Sequence, residues 1–345
     1  MFAFITRRLL LLPVILIGVT LLIFLMTQLV GPSVRVSIYI TNPNVFKGGQ
    51  GAIQKLEHKY GLDKPIWVQY ANWLDRLVHG NLGWSASARM PVAQALGKYL
   101  PATAELALYT IWPVVFLGIW MGFISGVHQD QWIDQVTRII AITGWSLPIF
   151  VLGLVLLMVF YGLFGWFPPG RLSLWASQIV NSASFHNYTG LHTIDAILNG
   201  NWRILLDALR HLVLPVLTLS YASWALILRI MRSSMLETLR QDYVTTARAK
   251  GLPEKVVLKK HARRNALIPV ATISGLMVVG LLGGTVLTET IFDIHGLGRF
   301  AAQAAVQFDL PAILGFALFY GFIMVFANLI VDVSYGLIDP RVRFE

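Results

Sequence analysis

Four ionisable side chains lie at or near long apolar runs of the sequence, where a charge is costly enough to suggest a function. They are Glu105, Arg229, Glu289 and Asp332. A charge at the centre of a membrane helix costs roughly 2.5–3.5 kcal/mol on insertion scales. All four are near the ends of the runs, where water or snorkelling can relieve them. A chain of acids across the middle of the runs, as a proton-driven carrier requires, is missing. Glu289 is the candidate pathway residue.

Enzyme signatures are missing from the sequence. It has no G-x4-G-K-[ST] phosphate loop, no His-Glu-x2-His and no convincing Ser/His/Asp arrangement. There is no cysteine, which removes thiolate metal sites and thiol nucleophiles. His186 and His192 are six residues apart in a polar segment, which is poor spacing for a metal. We therefore expect no enzyme activity, no metal and no cofactor in this chain.

The composition indicates an integral membrane protein. Of 345 residues, 56% are hydrophobic and 13% are charged. A helix needs ~20 apolar residues to cross ~30 Å of hydrocarbon, and six runs meet that length. They are Leu9–Val30, Ala104–Val127, Ile139–Phe167, Leu212–Leu228, Ile268–Leu287 and Ala312–Val331. The sequence predicts an all-α fold with six transmembrane helices, the first of them retained rather than cleaved as a signal.

The positions of the basic residues predict the topology. Lys and Arg cluster before span one, between spans two and three, between spans four and five, and after span six: Arg7, Arg8, Arg138, the 232–264 loop, Arg341 and Arg343. These sites share one side if the spans alternate, and the positive-inside rule makes that side cytoplasmic. Both termini are therefore predicted to be cytoplasmic. The net charge of +10 reflects this placement rather than nucleic acid binding.

Two long segments are predicted outside, 31–100 and 168–210. In the first, Trp67, Tyr70, Trp73, Leu74 and Leu77 recur at helical spacing, with Gln69, Asn72, Asp75 and Arg76 elsewhere around the helix. This stripe either lies on the outer membrane surface or packs against neighbouring parts of the same protein. The second segment is polar, and its sequence assigns it no function.

Small residues and one proline suggest close packing and a kink within the spans. Gly118, Gly122 and Gly126 form a repeated Gly-x3-Gly, and Gly280 and Gly284 repeat the pattern in span five. Such faces let helices approach closely in lipid, and in a transporter they also allow sliding. Pro148 removes a backbone hydrogen bond inside span three and predicts a kink.

The loop between spans four and five is the most distinctive segment. Nine Lys/Arg and three acidic residues lie between Arg232 and Arg264. Met235 to Lys250 is predicted to be a helix that ends at Gly251, where a left-handed residue is needed. Pro253 then begins a second helix that runs to about Asn265. Such a pair anchored by two spans can transmit motion from a cytoplasmic motor. The alternative is that its charges only set topology and bind anionic lipid.

These residues carry a family resemblance. The first motif is Tyr243-x-x-Thr-Ala-Arg-Ala-Lys-Gly-Leu252, and the second is Arg264-Asn-Ala-Leu-Ile-Pro269. Together they resemble the coupling loop of permease subunits in ATP-binding-cassette importers. More narrowly, they resemble the dipeptide/oligopeptide/nickel permease family, and the nearest resemblance is to the first permease subunit of dipeptide transporters. Further matching stretches span nearly the whole chain: Gly61-Leu-Asp-Lys-Pro65, Gly80-Asn-Leu-Gly83, Leu100-Pro-Ala-Thr-Ala-Glu-Leu106, Thr288-Glu-Thr-Ile-Phe292, Gly296-Leu-Gly298 and Asp339-Pro-Arg341.

The resemblance implies a single permease domain over 1–345 in the inner membrane, with a core unit at 101–335 and a coupling loop at 235–265. It implies a heterodimer with a second permease, two cytoplasmic ATPases that bind ATP and Mg²⁺, an extracytoplasmic binding protein and a peptide substrate. The coupling residues would be Asp242, Thr245, Thr246, Ala247, Arg248, Ala249, Lys250, Gly251 and Leu252. The glutamate that begins the general coupling motif is absent, since Thr245 stands there.

Three other functions stay open at this stage. Nickel or another small solute is possible because the same family carries both. An autonomous secondary carrier or channel is a different class, against which the missing acidic relay and the cytoplasmic helix pair count. A membrane-tethered DNA-binding helix pair is disfavoured because its second helix, with Lys259, Lys260, Arg263 and Arg264, has little apolar core of its own.

Overall fold

The structure, a computed structural model, describes residues 2–39, 55–282 and 285–338 and is built mainly of helices. Five of these helices have 20 or more residues, which is the length that a membrane crossing requires. They are α1 (Phe2–Gln28), α4 (Val92–Val127), α9 (Trp202–Leu239), α12 (Arg263–Leu282) and α15 (Leu310–Ile338).

Shorter elements connect the long helices. They are α2 (Pro32–Tyr39), α3 (Ile66–Val78), the paired strands β1 (Trp84–Ser85) and β2 (Met90–Pro91), α5 (Trp132–Ser146), α6 (Ile149–Leu156) with a π-helical continuation (Leu157–Leu163), α7 (Leu174–Val180), α8 (His192–Leu198), α10 (Asp242–Ala249), α11 (Glu254–Val256) with a π-helical continuation (Val257–Ala262), α13 (Val286–Ile291) and α14 (Leu297–Val306). The two strands pair antiparallel, with Trp84 opposite Pro91 and Ser85 opposite Met90.

Among the described residues, four helices are long and apolar enough to cross a membrane, and a bent pair makes a fifth candidate. The four lie at Leu10–Gln28, Val92–Val127, Trp202–Tyr221 and Leu310–Leu329, and the bent pair joins Trp132–Ser146 to Ile149–Leu163. The expected fifth span, Ile268–Leu287, is not among these candidates; its helix α12 ends at Leu282, and Gly283 and Gly284 lie outside the described residues. Six spans and cytoplasmic termini therefore stay predictions.

The break at Pro148 is sharper than the kink expected from the sequence. Helix α5 ends at Ser146, α6 begins at Ile149, and the two axes differ by 101°. Leu147 is extended, with ψ 122°, as the residue before a proline tends to be. Span three is therefore either a broken helix or a re-entrant loop.

The chain forms two compact units. The first contains residues 1–103, 283–286 and 295–329, and the second contains residues 104–282, 287–294 and 330–345. In the first unit, a core around Phe24, Val36 and Trp73 joins α1, α2 and α3. In the second unit, the largest described core lies between α4, α9 and α12, around Val114, Ile227 and Met231.

Helix α3 packs within the first unit, which favours the second of the two interpretations of its aromatic stripe. The rings of Tyr70 and Trp73 lie 5.3 and 5.6 Å from that of Phe24, while Trp67 is exposed. One residue expected elsewhere around the helix, away from the stripe, is instead buried. Gln69 donates to the Leu62 and Lys64 carbonyls at 2.8 and 2.7 Å and accepts a hydrogen bond from Arg35, so hydrogen bonds compensate its burial.

The glycines of α4 lie directly against α9. A Cβ added at Gly118, Gly122 or Gly126 would come within 2.6 Å of Ile227, Met231 or Met235 respectively, so any larger residue would force the two helices apart. Gly280 of span five does not share this feature. A Cβ added at Gly280 would meet no atom within 4 Å, and Gly284 lies outside the described residues.

Candidate coupling site

The loop between α9 and α12 contains a corner that the sequence reasoning missed. The predicted single helix from Met235 to Lys250 is wrong, because α9 ends at Leu239 and α10 begins at Asp242. Gln241 between them is extended, with ψ 147°. The cause is tertiary: Val244 and Ala247 of α10 must turn inward to meet Val257. The result is a separate helix of eight residues.

Gly251 ends this short helix through a Schellman motif. Its φ is +74°, the left-handed conformation that favours glycine. The Gly251 amide donates to the Arg248 carbonyl at 2.9 Å, and the Leu252 amide donates to the Ala247 carbonyl at 3.4 Å. These are the two hydrogen bonds that define the motif. The corner predicted from the sequence is therefore present, with its glycine at the position that needs a positive φ.

The second helix does not end near Asn265 as predicted. Pro253 precedes α11, and its π-helical continuation leads without a break into α12, which ends at Leu282. The helical path from the glycine corner into the expected fifth span is therefore continuous. A displacement of α10 can reach that span through a helix rather than through a flexible loop.

The inward face of α10 is apolar and small. Val244 and Ala247 are buried with Val257, and Leu239 packs against them. Ala247, one of the expected coupling residues, is only 5% exposed and packs with Val257 in the protein's own core, so it offers little surface to a partner. It holds α10 against the following helix.

The outward face of α10 contains most of the expected coupling residues. Asp242, Thr245, Thr246, Ala249 and Lys250 are all exposed. Three larger apolar side chains are exposed beside them: Tyr243, Leu252 and Val256. An exposed apolar group within a polar rim is the composition expected of a protein contact surface.

Arg248 pairs within the loop. Its guanidinium donates to both carboxylate oxygens of Glu254, at 2.7 and 3.1 Å. Hydrogen bonds from Arg248 lower the pKa of Glu254, so the pair stays charged at neutral pH. Both side chains are about half exposed, at 44% and 54%, so the pair contributes only about 0–1 kcal/mol to stability. It bridges the Gly251 corner and fixes the angle between α10 and α11.

A second contact connects α10 with α12. The Asn265 side-chain amide donates to the Tyr243 hydroxyl at 2.9 Å and to the His261 carbonyl at 3.1 Å. The short helix is thus held at the Arg248–Glu254 pair, at the Tyr243–Asn265 bond and through its buried face.

A bidentate ion pair of the second unit lies ten residues before α10. Arg232 donates from two nitrogens to the two oxygens of Asp134, each at 2.7 Å. Asp134 is fully buried and also accepts from Ser125 Oγ at 2.5 Å and the Asp130 amide at 3.0 Å. This pair joins α9 to the end of α4 and the start of α5. No local pattern revealed it, because 98 residues separate the partners.

The ionisable residues singled out at the span ends differ in their surroundings. Arg229 lies 5.2 Å from the ring of Trp145 in a cation–π contact, and the side chain of Asp332 is outside the described part. Glu289, the expected pathway residue, is fully buried in α13 beside the buried Thr288. Its carboxylate therefore does not face an open surface in this conformation.

The negative charge of the Glu105 carboxylate is compensated by protein groups. It accepts from Arg171 at 2.6 Å and from the amide and hydroxyl of Thr193, both at 2.8 Å. Arg171 and Thr193 belong to the 168–210 segment, to which the sequence assigned no function. The structure shows this segment to be ordered around a small core of α7, α8 and α9 that includes Ala176, Phe185 and Ile204.

The two histidines of that segment have different surroundings. His186 stacks on Tyr188, whereas His192 begins α8. Burial, assisted by the positive charge of Arg171, lowers the pKa of His192 to about 4. Among the residues that the structure describes, no group of three or more His, Cys, Asp or Glu side chains is placed to hold a metal ion.

The fold and the site together define a multi-span membrane protein with a short, exposed helix held rigidly between two long helices. The sequence matches the family described as "Binding-protein-dependent transport system inner membrane component" over residues 114–344 and the corresponding N-terminal family over residues 1–107. The chain therefore belongs to the inner membrane components of binding-protein-dependent transport systems, which are transport proteins rather than enzymes.

Relatives support the same conclusion over the full length. The chain is 38% identical over 346 residues to the dipeptide transport system permease protein DppB of Alkalihalophilus pseudofirmus and 39% identical over 346 residues to the di/tripeptide transport system permease protein DppB of Pseudomonas aeruginosa, covering 100% of both chains in each case. It is 39% identical over 297 residues to the probable D,D-dipeptide transport system permease protein DdpB of Escherichia coli, covering 86% of each chain.

Proposed function

We propose that this chain is the first permease subunit of an ATP-binding-cassette importer for di- and oligopeptides. The observation that carries the proposal is the geometry of α10: a short helix with an exposed face, ended by Gly251 at φ +74° and joined by that corner to α11, which runs without a break into α12. Permease relatives that are named for dipeptide or di/tripeptide transport match along the whole chain, which supports a peptide substrate.

In this proposal the chain has six spans and cytoplasmic termini and pairs with a second permease. Two cytoplasmic ATPases bind ATP and Mg²⁺, and a groove on one of them receives the outward face of α10. An extracytoplasmic binding protein delivers the peptide. The exposed Asp242, Thr245, Thr246, Ala249 and Lys250 contact the ATPase, together with Tyr243, Leu252 and Val256. Ala247 and the Arg248–Glu254 pair shape the helix rather than contact the partner.

The mechanism follows from the rigid connections on either side of α10. When ATP closes the two ATPases, α10 moves with its groove. The continuous path through α11 into α12 carries this displacement towards span five, and the Asp134–Arg232 pair makes the ends of α4 and α5 follow α9. Because these contacts are buried or hydrogen-bonded, the helices move together, and the spans rock between inward- and outward-facing states.

The test is to tag the chain, extract it in mild detergent and identify the co-purifying proteins by mass spectrometry. A second permease with one or two ATPases is the expected result. The reconstituted complex should then accumulate labelled dipeptide in liposomes only with ATP and the binding protein. Uptake of Ni²⁺ in place of peptide would favour the other solute of this family. A chain that elutes alone and moves solute without ATP would refute the proposal in favour of an autonomous carrier.

A further inference from the structure

A groove with an apolar lining runs along α4 from Ile111, in the middle of the helix, to Phe123, near its end. Its volume is about 410 Å³, which is the size of a ligand site. The lining consists of seven apolar residues of α4 and of Arg263, the first residue of α12. Tryptophan and phenylalanine rings make up much of it: Trp112, Phe116, Trp120 and Phe123. The groove therefore combines an apolar length with a single positive charge.

The charged end of the groove lies beside the end of α4. A Cβ added at Gly126 would come within 2.6 Å of Met235, and Met235 belongs to the same core cluster as Ala262, which precedes Arg263. The start of α12 is therefore next to the last turn of α4. From that end the groove extends back over twelve residues of α4, or about 18 Å of helix. This is comparable with the ~15 Å of hydrocarbon in one leaflet of a bilayer.

Arg263 has no counter-ion among the residues that the structure describes. The ion pairs described in and near the coupling loop use other arginines, and the sequence contains no acidic residue between Glu254 and Glu289. Arg263 is exposed. Three further basic residues close to it in sequence are exposed as well: Lys259, Lys260 and Arg264. This end of the groove therefore offers an unneutralised positive charge to an anion.

The aromatic lining differs from the surface that α4 uses against another helix. The Gly-x3-Gly face of α4 contacts α9, as small residues do where membrane helices pack closely. Phe116 and Trp120 each precede a glycine of that face by two residues, which turns the helix by about 200°. Together with Trp112 they are 53–71% exposed. The side of α4 that bears these rings is therefore large, apolar and uncovered, and it has no small residue that would admit a neighbouring helix closely.

The positive charge separates the two occupants that an apolar membrane groove can have. A helix of a second permease seated in the groove would cover Arg263, and a buried charge without a partner is strongly destabilising. Such a helix would need an acidic residue at that level. A phospholipid needs no special sequence, because its chains lie in the hydrocarbon and its phosphate lies at the surface. The groove has the same arrangement, with its apolar length in the span and its charge at the end.

We propose that this groove binds one anionic phospholipid of the cytoplasmic leaflet, with the phosphate on Arg263 and an acyl chain along the rings of α4. The inference rests on the proposed function, which places the coupling loop and the start of α12 at the cytoplasmic surface. Basic pockets between membrane helices on that side are suited to lipid headgroups, and a guanidinium can bind a phosphate through two parallel hydrogen bonds. The neighbouring basic residues favour a headgroup with a net negative charge.

The first experiment compares two arginines that are adjacent in sequence. The complete transporter is purified in detergent, phosphatidylglycerol is titrated, and bound lipid is counted by native mass spectrometry. Arg263→Gln should lower the affinity at least about tenfold, because it removes a charge-assisted hydrogen bond. Arg264→Gln is the matched control, since it removes the same charge beside the groove, and it should lower the affinity no more than about fivefold. Phosphatidylcholine should bind the wild type at least about tenfold more weakly than phosphatidylglycerol.

Two results of this titration would overturn the inference. Equal losses in Arg263→Gln and Arg264→Gln would mean that only the general charge of the loop attracts the lipid. Equal affinities of the wild type for the two lipids would mean that the groove does not select an anionic headgroup. If the complex assembles with its ATPases and takes up peptide in either case, only this inference fails. If no such complex assembles, the proposed function itself fails.

A second experiment identifies what lies in the groove. Benzoylphenylalanine is introduced at Phe116, and the transporter is photolysed in nanodiscs that contain equal amounts of phosphatidylglycerol and phosphatidylcholine. We expect cross-links mainly to phosphatidylglycerol, and loss of this preference when Arg263→Gln is added. Leu154 of α6, which is exposed outside the groove, is the control position and should label both lipids equally. A cross-link from position 116 to the second permease, or equal labelling of the two lipids there, would overturn the inference.

Discussion

The Asp134–Arg232 pair predicts an unequal response to removal of its two members. Asp134 is fully buried, whereas the side chain of Arg232 is 22% exposed. Arg232→Gln leaves a buried carboxylate without its counter-ion, and breaking a buried pair in this way costs about 3–5 kcal/mol. Asp134→Asn leaves a guanidinium that can turn partly towards water, so its cost should lie nearer ~2 kcal/mol. The prediction is that the arginine substitution is the more damaging of the two.

The measurement is amide hydrogen exchange of the purified transporter in detergent, followed in the last three turns of α9 and the first turn of α5. The opening free energy there should fall in the order wild type, Asp134→Asn, Arg232→Gln. The double variant should cost less than the sum of the two single variants, because the partners contact each other directly. Arg248→Gln, which breaks a half-exposed pair, is the matched control and should change local opening by no more than about 1 kcal/mol.

Two results would refute this reasoning. If Asp134→Asn is as damaging as Arg232→Gln, the argument from unequal burial is wrong. If both variants change opening by no more than the exposed Arg248 control, the pair does not hold the ends of α4, α5 and α9 together. In that case it cannot take part in the transmission proposed for the transport cycle.

Three further predictions concern the coupling loop and the outer segment. Gly251→Val should uncouple ATP hydrolysis from peptide uptake, because the corner needs a positive φ. Gly251→Asn is the control and should retain most uptake, because asparagine tolerates that conformation. Normal uptake by the valine variant would contradict the role of the corner. Reversing Arg248 and Lys250 to Glu should weaken co-purification of the ATPase without preventing membrane insertion, because it removes the exposed Lys250 charge and breaks the Arg248–Glu254 pair; unchanged assembly would show that neither feature supports docking of the ATPase. The pKa of His192 is lowered to about 4 in the folded protein, so the unfolded state binds a proton first as the pH falls. The stability of the outer segment should therefore fall as pH decreases from about 6.5 towards 4, by at most ~1.4 kcal/mol per pH unit. Thermal unfolding of His192→Gln should depend less steeply on pH than that of the wild type, and an equal dependence would assign the effect to other groups.

The predictable part of this protein follows from patterns local in sequence. Apolar runs of about 20 residues identify membrane helices because the hydrocarbon thickness sets their length. Gly251 identifies the corner of the coupling loop because few other residues adopt a positive φ there, and Pro148 marks the break in span three because it lacks an amide hydrogen. Each of these signals depends on a few neighbouring residues, so no tertiary contact was needed to recognise it.

Only the tertiary structure decided which way the side chains of these elements face and what they contact. Ala247 turns inward because Val257 lies across the corner from it, and Gln69 turns inward because carbonyls of the preceding loop accept its hydrogen bonds. The partners of Asp134 and Glu105 lie 98 and 66 residues away in sequence, beyond any periodic pattern.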